Sequence, residues 1–102
     1  MIPYKLTPDA EADLRQIARY TRRQWGEAQS LQYARTLATC FQKIADGEIV
    51  QRSFSNRFPE LLVARCEHHF IFYLHPEGQK PRIIAVLHER MDLITRLRDR
   101  LP

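Results

Sequence analysis

Residues 82–101 read RIIAVLHERMDLITRLRDRL, and no other stretch constrains the fold as much. Ile83, Ile84, Ala85, Val86 and Leu87 form an unbroken apolar run of strand length. A strand without polar alternation is buried on both faces, which makes it central to a sheet. His88, Glu89 and Arg90 follow at once, where that strand must emerge towards water. Asp92 can then cap a short last helix over residues 93–101, with Leu93, Ile94, Leu97 and Leu101 as its apolar stripe. So short a helix cannot hold itself together in water and must dock on the sheet or on a partner.

The rest of the chain supplies what such a strand needs. Ile2, Tyr4 and Leu6 alternate over residues 1–6, an edge strand whose Pro3 lacks an N–H. Thr7-Pro8-Asp9 reads as a cap, a proline at the first helical position and a first-turn acid. The helix over 8–25 carries Ala10, Leu14, Ile17, Ala18, Thr21 and Trp25 on one stripe, with Arg19, Arg22 and Arg23 near its end. Gly26 interrupts the pattern. A second helix over 27–46 then places Leu31, Ala34, Leu37, Ala38, Phe41, Ile44 and Ala45 on one face. The short connection makes the two helices an antiparallel hairpin, and Gly47 ends the second. Residues 48–60 read as an irregular loop anchored by Phe54 and Phe58. Strands over 61–65, 69–74 and 82–88 follow, joined by turns at 66–68 and 76–81. The expected architecture is a single α+β domain spanning 1–102, an antiparallel-rich sheet packed on an N-terminal helical hairpin.

Composition excludes several classes. No apolar run approaches the roughly 20 residues that span a bilayer, and the N-terminus has no signal-peptide pattern, so a cytoplasmic, membrane-free chain is expected. The net charge of +4 is shared equally between the two halves, without a nucleic-acid-binding tail. Such a diffuse surplus favours an acidic partner. Cys40 and Cys66 fall in a helix and a strand, and two buried free thiols are preferred over a lone disulfide.

Arg65, His68, His69, His88, Glu89 and Arg90 would converge at one end of the sheet if the three strands adjoin. Histidine and carboxylate can move protons and arginine binds phosphate, the toolkit of RNA cleavage by the 2′-hydroxyl. Strand ends gather polar residues in any antiparallel domain, however, so a structural or binding role is preferred. Strand alternation puts His68 and His69 on opposite faces, which argues against a metal site with Cys66. No cofactor motif occurs. Most aromatic residues fall at core positions; Trp25 is the exception, placed beside Arg22 and Arg23 to act as an interface anchor.

The segments YKLTPDAEADLRQIARYTRRQWG, ARCEHHFIFYL and AVLHERMDLITRLRDRL resemble the ParE branch of the ParE/RelE toxin superfamily, and the resemblance covers residues 4–101. It implies the order β-α-α-β-β-β-α and a type II toxin of plasmid maintenance, neutralised by a ParD-like antitoxin. The target it implies is DNA gyrase, poisoned by stabilisation of its cleaved-DNA complex rather than by enzymatic action. Nucleic acid would then be met only indirectly, through gyrase or the antitoxin–operator complex. RelE-type relatives instead cut mRNA on the ribosome, often with a C-terminal tyrosine or histidine. No tyrosine follows Tyr73 here, although His69, His88 and Arg90 remain. On this reading Trp25, His88, Arg90, Arg96 and Arg98 are effector-surface candidates. Ile2, Tyr4, Leu6, Arg22, Arg23 and Arg65 are antitoxin-binding candidates, through an edge strand or an apolar groove.

Overall fold

The computed structural model describes residues 2–101. Thr7 caps the first helix, α1 (Pro8–Trp25), its hydroxyl accepting from the Ala10 N–H at 3.2 Å. Gly26 both ends α1 and starts α2 (Glu27–Ala45): its N–H donates to Arg22 C=O, and its own C=O accepts from the Ser30 N–H. That double duty needs φ +91°, a conformation open to glycine and strained for other residues. The hairpin is closed by small polar groups. Thr21 Oγ1 lies 2.9 Å from Ser30 Oγ, which in turn donates to Ala18 C=O at 3.2 Å.

Five strands form one sheet in the order β1-β5-β4-β3-β2: β1 (Lys5–Leu6), β2 (Ser53–Ser55), β3 (Phe58–Cys66), β4 (His69–Leu74) and β5 (Arg82–His88). All neighbours are antiparallel except β1, which runs parallel to β5 through the rungs Lys5↔Arg82 and Leu6↔Ile83. The first strand is thus far shorter than the expected 1–6, and Met1 lies outside the described residues. Phe54 and Phe58 do pack on the domain, but from paired strands rather than a loop; the Phe54 and Phe72 rings meet edge to face at 5.1 Å. Glu67 and His68 alone turn β3 into β4, with Glu67 at φ 55°.

β5 is buried on both faces, as its apolar run requires. Ile83 and Val86 join Ala10, Leu37, Phe41, Ile71 and Tyr73 under the helical hairpin. Ile84, Ala85 and Leu87 join Leu61, Phe72 and Leu97 in a second cluster. Neighbours along β4 divide between the two clusters, so the second cluster lies on the opposite face of the sheet. The last helix, α3 (Leu93–Arg98), covers that face through Leu97 and the half-buried Leu93, while Ile94 stays exposed. Asp92 caps it as expected, accepting from the Thr95 N–H at 3.3 Å and the Thr95 hydroxyl at 2.8 Å.

β1 stops after two residues, leaving most of one β5 edge without a strand. Phe72 pairs with Ala85 and Tyr73 with Ile83, so Ile84 is the extra residue of a bulge. Two side chains serve the open edge beyond it. Asp13 Oδ2 accepts from the Val86 N–H at 2.9 Å, and Arg100 donates to Ile84 C=O at 3.2 Å. The two also pair with each other through bonds of 2.5 and 2.9 Å, tying α1, β5 and the end of the chain together.

The cysteines are not free: Cys40 and Cys66 form a disulfide. They looked unrelated in sequence, but α2 lies across the sheet and brings their Cα atoms to 6.5 Å, within bonding range. No helix among the described residues is long and apolar enough to cross a membrane.

Candidate functional site

The polar residues that flank the apolar strands meet where β4 begins and β5 ends. His69 and His88 are direct cross-strand partners, and their rings stand edge to face at 5.2 Å. His68 belongs to the turn rather than to a strand, so alternation does not send it to the far face. Its ring stacks on His88 with centroids 6.4 Å apart. Glu89 links the cluster to β3: one oxygen pairs with Arg65 Nη2 and the other lies 3.0 Å from His68 Nδ1. The His68 hydrogen bond, assisted by the Arg65 charge, holds the Glu89 carboxyl below its usual range. Arg65 also sits over the Phe70 ring at 5.5 Å, and the Arg90 N–H donates to His88 Nδ1 at 3.1 Å. All six residues that sequence reasoning brought to this end of the sheet are therefore there.

His69 is the buried member. Burial, aided by His88 and His68, pushes its pKa down to about 4, so the ring is neutral at physiological pH. Tyr33 on α2 is 2.6 Å from His69 Nδ1. Burial raises the Tyr33 pKa above the ordinary phenol value, with Glu67 and Glu89 adding to the effect. The phenol is accordingly the donor and Nδ1 the acceptor, which assigns the His69 proton to Nε2. Among the described residues no three His, Cys, Asp or Glu side chains converge as a metal site.

This cluster forms one wall of a cleft of about 1010 Å³ between the sheet end and the distal half of the hairpin. Tyr20, Trp25, Gln29 and Gln32 line the hairpin side; Arg90 and Met91 line the other. Three effector candidates, Trp25, His88 and Arg90, thus share one cavity, with Trp25 64% exposed. Arg96 and Arg98 stand apart on α3, which covers the other face of the sheet.

A second concavity, about 190 Å³, lies between α1 and α2. Leu14 and Ala18 form one side, Ala34 and Ala38 the other, with Tyr4, Leu6 and Phe41 at one end. The Tyr4 ring meets Phe41 edge to face at 5.4 Å. Ala34 and Ala38 are exposed and Leu31 is 52% exposed, so this half of the α2 apolar stripe is not core. Arg22 stands one turn beyond Ala18 and Arg15 nearly one turn before it; Arg35 lies within one turn of Leu31 and Ala38. All three arginines are exposed, and none joins an ion pair among the described residues.

Of the antitoxin candidates, Tyr4 and Leu6 line this groove, and Arg22 borders it. Ile2 is exposed, its C=O accepting from Lys80 Nζ at 2.9 Å. Arg23 is exposed in the last turn of α1, and Arg65 belongs to the histidine cluster. The apolar stripes of α1 and α2 do not by themselves show which part is covered; the alanines recurring along α2 are the signal for a surface open to close approach.

The chain matches the family described as the ParE toxin of the type II toxin–antitoxin system, parDE, over residues 4–93. It belongs to that family. It is 52% identical to Toxin ParE of Escherichia coli, over 99% of this chain and 98% of that protein. Toxin ParE1 of Caulobacter vibrioides is 33% identical over 90% of this chain and 94% of its own length. The fold is also that of a solved chain titled "Chromosomal ParDE TA system from P. aeruginosa". The two align with a TM-score of 0.70 at 17% identity, covering 86% of this chain and 96% of that one. The fold is thus shared where few residues are.

Proposed function

We propose that this ParE-family toxin poisons DNA gyrase by binding and stabilising its cleaved-DNA complex, and that a ParD-like antitoxin neutralises it. The family supports the antitoxin, and the groove between α1 and α2 supports the mode of docking. Its apolar, alanine-lined floor admits the face of an amphipathic helix. The unpaired Arg15, Arg22 and Arg35 along its borders complement an acidic one. An antitoxin segment disordered on its own would fold as it fills the groove.

The gyrase half of the proposal rests on the resemblance and on the open cleft. Trp25 is a large aromatic left mostly in water, in a cavity walled by His88 and Arg90, which suits an anchor for a protein partner. Supercoiling and cleavage assays with purified gyrase test it: the toxin should inhibit supercoiling and accumulate cleaved DNA, and Trp25→Ala should lose both effects while still folding and binding antitoxin. Undisturbed gyrase turnover at saturating toxin would overturn the proposal.

One observation favours a second reading, ribosome-dependent mRNA cleavage. Arg65, His68, His69, His88, Glu89 and Arg90 do gather at one site, with proton-carrying and phosphate-binding groups side by side. Against it, both Glu89 oxygens are engaged by Arg65 and His68, and His69 is held neutral against Tyr33. Transcript cleavage on ribosomes, abolished by His88→Ala or Arg90→Ala, would select this reading.

A further inference from the structure

The disulfide lies on the side of α2 that faces the sheet, among the residues that fix the helix there. Tyr33 reaches His69 two turns earlier along α2, and Phe41 and Ile44 pack into the core just beyond. Cys66 closes β3 from below, 3% exposed, with its sulfur 3.7 Å from Thr36 C=O. Cys40 is only partly buried and packs at the margin of the same cluster. Of the two residues, Cys40 is therefore the more open to solvent and Cys66 the more enclosed.

We propose that Cys40 and Cys66 form a reversible thiol–disulfide exchange site, whose redox state sets how firmly α2 is held to the sheet. The oxidant is a low-molecular-weight disulfide such as oxidised glutathione, and the reductant its thiol. In the oxidising direction the Cys40 thiolate attacks one sulfur of the small disulfide. A mixed disulfide forms on Cys40 and one small thiolate leaves. The Cys66 thiol then gives up its proton and attacks Cys40 Sγ, forming the protein disulfide and expelling the second small thiolate. Two electrons pass from the protein to the small disulfide, and the two protons end on the departing thiols. Cys40 is the entry residue because it is the less buried of the pair; Cys66 resolves from within.

The cross-link closes a 26-residue separation between helix and sheet, a span over which a disulfide strongly restricts the unfolded chain. The test holds the full-length protein in defined ratios of reduced to oxidised glutathione, unfolds a quenched sample in denaturant with an alkylating agent to trap all free thiols, weighs the intact chain and records the melting temperature of the untreated protein. Both thiols should become alkylatable together as the buffer turns reducing, and the midpoint of melting should fall by about 10 °C or more. Under oxidised glutathione, Cys66→Ala should accumulate the mixed disulfide at Cys40, whereas folded Cys40→Ala should leave Cys66 unmodified. If both thiols stay alkylatable in oxidised buffer, or the two redox states melt within about 2 °C of each other, the clamp does not exist. A glutathione adduct that forms first on Cys66 would overturn the order of attack. If neither variant folds, the two wild-type measurements still decide.

Discussion

Arg100 is the third residue from the end of the sequence, yet its loss should be felt in the core. Its guanidinium and the Asp13 carboxylate are nearly out of water, with side chains 14% and 10% exposed. Among the described residues, Arg100→Ala leaves the carboxylate with Val86 N–H as its one remaining hydrogen-bond donor, and deprives Ile84 C=O of the Arg100 donor. Removing one partner of a buried pair costs about 3–5 kcal/mol. Water can reach Asp13 through the adjoining cleft, so we expect a value at or below the bottom of that range, about 2–3 kcal/mol. For a chain of this size that is a fall in melting temperature of about 10–20 °C. Urea unfolding should show the midpoint moving with an unchanged slope. Asp13→Asn keeps an acceptor for Val86 but removes the charge, so the double variant should cost less than the sum of the single ones, by about 1–2 kcal/mol. An Arg100→Ala protein within about 0.5 kcal/mol of wild type, or strict additivity, would refute the idea that this pair replaces a strand.

His69 binds its proton less tightly when folded than when unfolded, so the unfolded chain takes up more protons between pH 6.5 and about 4. Its contribution to stability is complete above that window and declines as pH falls through it, at up to about 1.4 kcal/mol per unit. His69→Gln should flatten that part of a melting-temperature profile against pH, and an unchanged slope would count against the assignment. Leu97→Ala removes the one fully buried side chain of α3, and should cost about 2–4 kcal/mol and raise amide exchange over 93–98. Protection there equal to wild type would mean that α3 is held by something else. Ala38→Glu places a charge in the α1–α2 groove at an exposed position, so the fold should survive while antitoxin affinity drops by at least roughly tenfold. Titration calorimetry showing undiminished binding would place the antitoxin elsewhere.

Elements with strong local chemistry were legible from sequence. Thr7-Pro8 and Gly26 bound α1 where expected, and His69–Leu74 and Asp92 hold the roles their patterns gave them. What failed was non-local. Ser53–Ser55 and the first residues of β3 lack a continuous apolar signal, and become strands because β2 and β3 pair with each other. The alternation of Ile2, Tyr4 and Leu6 suggested a full strand, but only Lys5 and Leu6 find a partner before α1 begins. Nothing in the sequence around Asp13 marks it for the β5 edge; that service brings together residues far apart in the chain, Asp13, Val86 and Arg100. The α2 stripe is apolar as its spacing predicts, but only part of it is buried. Periodicity reports that a face avoids water, whereas what covers Leu31, Ala34 and Ala38 is not a property of α2. Likewise the histidines could be placed at one end of the sheet, but Tyr33 as the group that fixes His69 could not.

The two margins of the sheet have been blunted in different ways. On one, β2 offers only three residues to any newcomer. On the other, an ion pair occupies positions where a foreign strand would bond, and it would have to be broken first. Lateral growth into fibres is thereby discouraged at both borders, which leaves the helical side as the adhesive part of the molecule. A cell making this chain ahead of its antidote would thus face clumping through greasy helices sooner than through stacked ribbons, and solubility on co-expression becomes a direct gauge of whether that side is covered.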